Sequence, residues 1–176
     1  GRRFYRVNQE RQAEYILTGK RNQDGFFDAK QMYEASDGSL YVLDLMRDGS
    51  RKMEQERILQ YDSKGKLVRT VAKIQYGKED RIYKNVINRI TELDGTVVWF
   101  QFTDDGFSLM GEEGELRHFL YPEAAQYLVD FEVNPQTGFC TYLNKNGEIY
   151  EEQADGSFVK LYGVDGNTLE IPWYMD

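Results

Sequence analysis

The stretch MYEASDGSLYVLDLMRDGSRKMEQERILQYDSKGKLVRTV, residues 32–71, contains two hairpin patterns in series. Each pattern joins two apolar runs through a turn that holds a glycine, Gly38 in the first and Gly65 in the second. Glycine supplies a positive φ at such a turn without steric cost, which favours tight antiparallel hairpins. The stretch therefore predicts a four-stranded meander, with its last three strands at 40–45, 58–61 and 67–71.

The same unit recurs twice further along the chain. The second copy is INRITELDGTVVWFQFTDDGFSLMGEEGELRHFLYP, residues 87–122, and the third is YLVDFEVNPQTGFCTYLNKNGEIYEEQADGSFVKLYG, residues 127–163. Four-stranded units that repeat about every 40 residues are typical of β-propeller blades, because a single meander cannot bury both of its faces. The sequence predicts an all-β fold, either a β-propeller or a propeller fragment, with three complete blades and half-blades at both ends. The turn glycines of the three copies are Gly38, Gly95 and Gly138, followed by Gly65, Gly114 and Gly156.

The predicted organisation is a single propeller-like domain over residues 1–176. An outer half-blade at the start and a closing inner strand at the end would together form a fourth blade and close the ring. The alternative is a piece of a larger propeller with open edges that self-associates, and the start Gly1-Arg2-Arg3, without methionine, favours an excised piece of a longer protein. The predicted segments are the half-blade 4–18, the blades 26–71, 86–121 and 127–163, and the closing strand 167–176.

Composition and charge exclude several classes of function. The chain has 176 residues and a formal net charge of −8, and its basic residues are scattered, which argues against nucleic-acid binding. It contains no run of about 20 apolar residues that would insert into a membrane. Its single cysteine, Cys140, excludes an internal disulfide and lies in an alternating run typical of a buried strand.

Two charged segments interrupt the pattern of the first complete blade. Residues 47–56 are predicted to form a charged loop between the second and third strands, and residues 72–85 a long crossover to the next blade. Charged runs are usually solvated, but connections on one face of a repeat fold often carry function. Both segments are therefore predicted as exposed loops.

One blade carries a more specific resemblance. Its segments SDGSLYVLD, residues 36–44, and RILQYDSKGKLVRTV, residues 57–71, resemble the NHL-type repeat of β-propellers, in which an apolar strand ends in Asp and the next opens with Arg-Ile. The second and third copies keep the turn glycines but lose that Asp and the Arg-Ile pair, so they resemble propellers in general. The resemblance implies a binding scaffold of a bacterial extracytoplasmic or surface protein, as part of a longer and membrane-anchored chain.

The sequence offers few candidates for chemistry. Asp44, Asp48 and Asp104 are the residues that would bind a divalent metal such as Ca²⁺, but no loop has the regular spacing of a calcium site. His118, the single histidine, falls on a predicted outermost strand, far from the central channel where propeller active sites lie. Because geometry must precede pKa in any general-base assignment, a Ser-His-Asp set is not predicted.

Aromatic residues make up 14% of the chain and most of them are expected in the core. Exposed aromatics on one disc face would bind sugar rings or a peptide. The candidates for such ligand binding are Trp99, Trp173, Tyr174 and Tyr76.

The sequence leaves three functions open, one of which is an assembly piece whose exposed edges pair with another chain. The leading hypothesis is a non-catalytic ligand- or protein-binding module that recognises a protein, peptide or glycan over one disc face and needs no cofactor. The alternative is a propeller-type hydrolase with a carboxylate-bound divalent metal in the central channel. Fold alone does not decide between them.

Overall fold

The computed structural model describes residues 3–18, 25–120, 128–134 and 137–162. In these ranges every regular element is a β-strand, and none contains a helix that is long and apolar enough to cross a bilayer. The strands are β1 (Arg3–Val7), β2 (Ala13–Thr18), β3 (Ala29–Glu34), β4 (Leu40–Arg47), β5 (Met53–Tyr61), β6 (Leu67–Gln75), β7 (Ile87–Leu93), β8 (Thr96–Phe102), β9 (Gly106–Gly111), β10 (Gly114–Leu120), β11 (Leu128–Val133), β12 (Cys140–Asn144), β13 (Ile149–Glu152) and β14 (Phe158–Tyr162).

The strands form one two-stranded and three four-stranded antiparallel sheets. The orders are β1-β2, β3-β4-β5-β6, β10-β9-β8-β7 and β11-β12-β13-β14, so every sheet is a simple meander. The all-β, propeller-type fold class predicted from the turn glycines is thereby confirmed. The predicted closing strand at 167–176 lies outside the described residues.

The two charged segments of the first complete blade were predicted as loops, and this prediction was wrong in part. Strands β4 and β5 pair as far as Arg47 and Met53, so residues 47–56 are the end of a long hairpin with a short turn. Strand β6 continues to Gln75, so the first four residues of the predicted crossover belong to the sheet. The added length of β4 and β6 comes from pairing with β5, whose register continues to Arg47 on one side and to Gln75 on the other.

The chain divides into two compact units, residues 1–119 and 120–176. In the first unit the blade β3–β6 is covered on both faces. Leu40, Val42 and Leu59 face the β1-β2 sheet and pack against Leu17 and its neighbours. The alternate residues of β4 face the next blade, where Leu43 packs with Ile90 and Trp99. This is why six consecutive residues of β4 are buried, whereas an antiparallel strand with one solvated face alternates.

The described strands of the second unit form one meander with an aromatic centre. The rings of Tyr142 and Tyr150 stack with centroids 4.9 Å apart, and Phe158 packs edge-on against Tyr142 at 5.2 Å. Cys140 is buried in β12, as its alternating context predicted, and the carboxylate of Glu152 accepts a hydrogen bond from its backbone N–H at 3.0 Å.

One five-residue turn is repeated in several hairpins. In the turn 62–66, the first and last residues are joined by a backbone hydrogen bond, and Gly65 N–H donates to Asp62 O at 2.9 Å. The fourth residue has a positive φ, +79° at Gly65, which glycine adopts without steric cost. Turns 8–12 and 48–52 have the same backbone bonds but place Arg11 (φ +61°) and Arg51 (φ +64°) at this position.

In the second unit, Glu148 gives a pH-dependent contribution to stability. Its carboxylate accepts hydrogen bonds from Lys160 Nζ at 2.7 Å, Asn144 Nδ2 at 2.7 Å and Tyr150 OH at 3.1 Å. These bonds, that from Lys160 first, lower the pKa of Glu148 to about 2. Because the folded pKa is depressed, the contribution is present above the ordinary value of 4.5 and is lost as pH falls toward 2.

Replacing Lys160 with methionine is therefore expected to lower the melting temperature at pH 6 and to leave it nearly unchanged at about pH 1, below the folded pKa of Glu148, where the carboxyl is mostly protonated in both proteins. Thermal denaturation of both proteins across this range measures the difference. A gap between the two that stays constant with pH would contradict the assignment.

Candidate functional site: an acidic cleft between two blades

A buried ion pair fixes the strand that leads into the site. Asp44, which is 0% exposed, accepts hydrogen bonds from the backbone N–H groups of Phe27 and Asp28 at 2.7 and 2.8 Å. Its other carboxylate oxygen accepts from Arg57 Nε at 2.9 Å, and Arg57 also donates to Gly25 O at 2.7 Å. The Asp and Arg of the NHL-like pattern thus hold the start of β3 against β4 and β5.

A second buried carboxylate holds the connection between the blades. Glu56, 0% exposed, accepts hydrogen bonds from Tyr76 OH at 2.7 Å and from the backbone N–H groups of Val86 and Ile87 at 2.7 and 2.8 Å. Burial first, and then the bond to Glu56, raise the pKa of Tyr76. The phenol therefore stays protonated and acts as a donor that secures residues 76–87 to β5.

A cleft of about 440 Å³ lies between the blades β3–β6 and β7–β10, at one end of their strands. It lies between the β3-β4 turn of one blade and the β7-β8 and β9-β10 turns of the next. Its apolar wall comes from side chains of both blades, and four carboxylates stand around it. The lining residues are Ala35, Asp37, Tyr41, Glu92, Gly95, Thr96, Val97, Gly111, Glu112, Glu113 and Leu116.

Two of the four carboxylates join the blades across the cleft. Glu92 of β7 accepts hydrogen bonds from the backbone N–H and the hydroxyl of Ser36, at 2.8 and 2.5 Å. Glu112 of the β9-β10 turn forms a two-pronged ion pair with Arg69 of β6, at 2.5 and 2.6 Å. These contacts span the cleft, because each connects a turn of one blade to the other blade.

The remaining two carboxylates, Asp37 and Glu113, are exposed at the rim. Asp37 accepts from Ser39 N–H at 2.8 Å within its own turn. At the base, burial and then the negative charge of Asp37 raise the pKa of Tyr41. None of the described lining residues is cationic. Glu112 is paired with Arg69, so Asp37, Glu92 and Glu113 carry the negative charge that the cleft presents over an apolar wall.

Of the four aromatic residues predicted to bind a ligand, the structure describes Trp99 and Tyr76, and both pack in or against the core between the two blades. Trp99 is 5% exposed and packs in the core between the two blades, so core side chains cover its ring. Tyr76 is partly buried, and its hydroxyl is bonded to Glu56. Trp173 and Tyr174 lie outside the described residues, and their part of the prediction stays a prediction.

The three aspartates predicted as metal ligands have separate surroundings. Asp44 is the buried partner of Arg57, whereas Asp48 accepts from the N–H groups of its turn and pairs with Arg81 at 3.0 Å. Asp104 is exposed in the turn between β8 and β9. Within the described ranges, no group of three or more His, Cys, Asp or Glu side chains is placed to hold a metal ion.

Pairing of β9 with β10 produces a Ser-His-Asp contact that the sequence reading did not predict. His118, on the outermost strand as predicted, has Nδ1 2.9 Å from Ser108 Oγ and Nε2 3.3 Å from Asp105. Ser108, however, donates its hydroxyl proton to Glu115 at 2.5 Å, so the imidazole N–H donates to Oγ. This direction is opposite to that which activates a nucleophile, and Ser108 is only 2% exposed.

Three four-stranded meanders, two of which pack face to face in the first unit, define the chain as a β-propeller-type repeat protein, complete or as a fragment. No protein-family model and no curated protein matches the chain. The general propeller resemblance is thus shown by the blades themselves, whereas the NHL assignment of one blade stays a prediction.

Two solved structures resemble the chain. One is a streptogramin B lyase, with a TM-score of 0.48 and 14% identity over 94% of this chain and 49% of that chain. The other is a virginiamycin B lyase from Staphylococcus aureus, with a TM-score of 0.48 and 11% identity over 93% of this chain and 49% of that chain. The chain spans about half the length of these structures, and a likeness of this size defines no activity for it.

Proposed function

We propose that the chain is a non-catalytic binding module whose acidic cleft receives a cationic group of a partner protein. The observation that supports this function is the cleft itself, which combines four carboxylates with an apolar wall of Ala35, Tyr41, Val97 and Leu116. A lysine or arginine side chain matches both features, because its methylene stem packs on apolar surface while its charged head meets carboxylates.

The construction of the cleft also suits binding. Ala35, Tyr41 and Val97 of the wall belong to, or pack against, the core that the two blades share, so the cleft is formed before a ligand arrives, which reduces the entropy lost on association. The exposed Glu113 and Asp37 at the rim then provide the attraction for an incoming positive charge. The module in this proposal recognises a basic segment of a protein or peptide, in accordance with the binding role predicted from the sequence.

Titration calorimetry with a tetra-arginine peptide tests this function, with a tetra-glutamate peptide as the charge control. Replacing Glu113 with lysine is expected to weaken tetra-arginine binding about tenfold, because the new cation repels the ligand at the rim. Glu113 is exposed, so the melting temperature should change little.

The matched control is Glu79→Lys, which makes the same charge change at an exposed position of the crossover outside the cleft. It alters the net charge equally and is expected to leave binding nearly unchanged at physiological salt, where long-range effects are screened. Equal weakening by both substitutions, or no binding of tetra-arginine by the unmodified chain, would overturn the proposed function.

A further inference from the structure

The opposite end of the β3–β6 blade has the opposite charge. Strand β4 begins at Leu40, beside the cleft, and ends at Arg47, where the β4-β5 hairpin meets the crossover to the next blade. We call residues 47–54 together with 81–84 the basic tip. They contain five cationic residues and two carboxylates, a formal net charge of +3, in a chain whose net charge is −8. The cationic residues are Arg47, Arg51, Lys52, Arg81 and Lys84.

The basic tip is held together by contacts between its two segments. Arg47 donates to the carbonyls of Arg51 and Tyr83 at 3.0 and 2.9 Å, and Met53 N–H donates to Ile82 O at 2.6 Å. Arg81 bridges the two carboxylates, Asp48 and Glu54, at 3.0 Å each. The carboxylates of the tip are thus paired with one arginine, and the surrounding cations determine the charge that the surface presents.

Exposed apolar surface accompanies these charges. Tyr83 is 65% exposed and Ile82 39% exposed, and Lys52 Nζ lies 5.6 Å from the centre of the Tyr83 ring. Arg47, Arg51 and Lys84 are exposed around them. Aromatic and arginine side chains together are enriched where proteins bind one another.

Arg51 stands at the apex of the hairpin in a backbone conformation that glycine adopts more easily. Its φ is +64°, and the equivalent position of the turn 62–66 is Gly65. A non-glycine residue in this region carries a conformational cost, so replacing Arg51 with glycine removes the side chain while the turn keeps its backbone conformation.

We propose that the basic tip is a second interaction surface, which binds a short acidic segment of a partner protein. The guanidinium groups pair with carboxylates, while Tyr83 and Ile82 contact apolar side chains of the same segment. A long polyanion such as a nucleic acid or sulfated glycan fits less well. It would extend beyond a surface of net charge +3 onto a chain that is acidic elsewhere, and such repulsion acts over about 8 Å at physiological salt.

The test is fluorescence anisotropy of the intact chain with a labelled pentapeptide of glutamates around a central phenylalanine. Replacing Arg51 with glycine is expected to weaken binding about five- to tenfold, because it removes an exposed cation while keeping the backbone of the turn. The substitution suits the positive φ, so the melting temperature is expected to stay equal or rise. Raising the salt from about 50 to about 300 mM should weaken binding by the unmodified chain.

The matched control is Arg11→Gly, which makes the same change at the same position of the same turn in the β1-β2 hairpin. It is expected to leave peptide binding unchanged. Equal effects of the two substitutions, or no binding of the pentapeptide at low salt, would overturn the proposal, as would tighter binding of heparin or single-stranded DNA than of the pentapeptide. The cleft and its Glu113 variant are not involved, so this result is separate from that for the proposed function.

Discussion

Replacing Gly65 with alanine is expected to lower the free energy of unfolding by about 3 kcal/mol. Two terms contribute. The residue has a φ of +79°, which costs an L-residue roughly 1–2 kcal/mol, and a Cβ at this position would lie 2.4 Å from the backbone carbonyl oxygen of Ile16. Backbone atoms cannot rotate away as a side chain does, so the β1-β2 sheet would have to shift from the blade it covers.

Two other glycines separate the cost of the positive φ from the cost of the steric clash. Gly38 also has a positive φ, +82°, but its Cβ would meet only Ser63 Cβ, at 3.7 Å, so Gly38→Ala is expected to show the conformational cost alone. Gly49 has no positive φ and nothing within 4 Å, so Gly49→Ala should change stability by less than about 0.5 kcal/mol. Urea unfolding followed by circular dichroism compares the three. The prediction fails if Gly65→Ala is no more destabilising than Gly38→Ala.

The second large effect is expected from Arg57→Met, at about 3–5 kcal/mol. The substitution removes the cation beside Asp44 and leaves a carboxylate that is 0% exposed with only two backbone donors, the N–H groups of Phe27 and Asp28. It also removes the bond to Gly25 O. An uncompensated charge in the core costs more than the ion pair itself contributes.

Adding Asp44→Asn to Arg57→Met is expected to recover at least about 1 kcal/mol, since an amide oxygen still accepts the two backbone N–H bonds without carrying a charge. The control is Arg69→Met, which breaks an ion pair with Glu112 whose side chains are 46% and 42% exposed. Solvated pairs of this kind contribute about 0–1 kcal/mol. Similar losses for Arg57→Met and Arg69→Met in chemical denaturation would refute the argument from burial.

Much of the fold could be predicted because its signals are local. Most of the hairpins are encoded within about ten residues by two apolar runs and a turn glycine, and backbone hydrogen bonding makes antiparallel pairing the result. The long β4-β5 hairpin was missed for the same reason. Residues such as Arg47, Asp48 and Arg51 have the composition of a solvated loop, and their strand or turn geometry depends on pairing with a segment already committed to the sheet.

The candidate sites were much less predictable. Asp44 is recognisable in the sequence because it ends an apolar strand, but whether its carboxylate contacts a metal or an arginine depends on Arg57 in the next strand. The sequence around Trp99 does not distinguish an exposed position on a disc face from a buried position in a core. The packing of the two blades places Trp99 in the core. His118 meets Ser108 only because β9 and β10 pair in one register.

The amino-acid sequence by itself determined the strand content, the meander unit and its threefold recurrence, since period-two alternation and glycine turns act between near neighbours. Only the tertiary structure decided which charges meet. The contacts Ser36–Glu92 and Arg69–Glu112, 56 and 43 residues apart, form the acidic cleft, and Arg47–Tyr83, 36 residues apart, holds the basic tip. Such pairings depend on how one blade packs on the next, and no local pattern records that geometry.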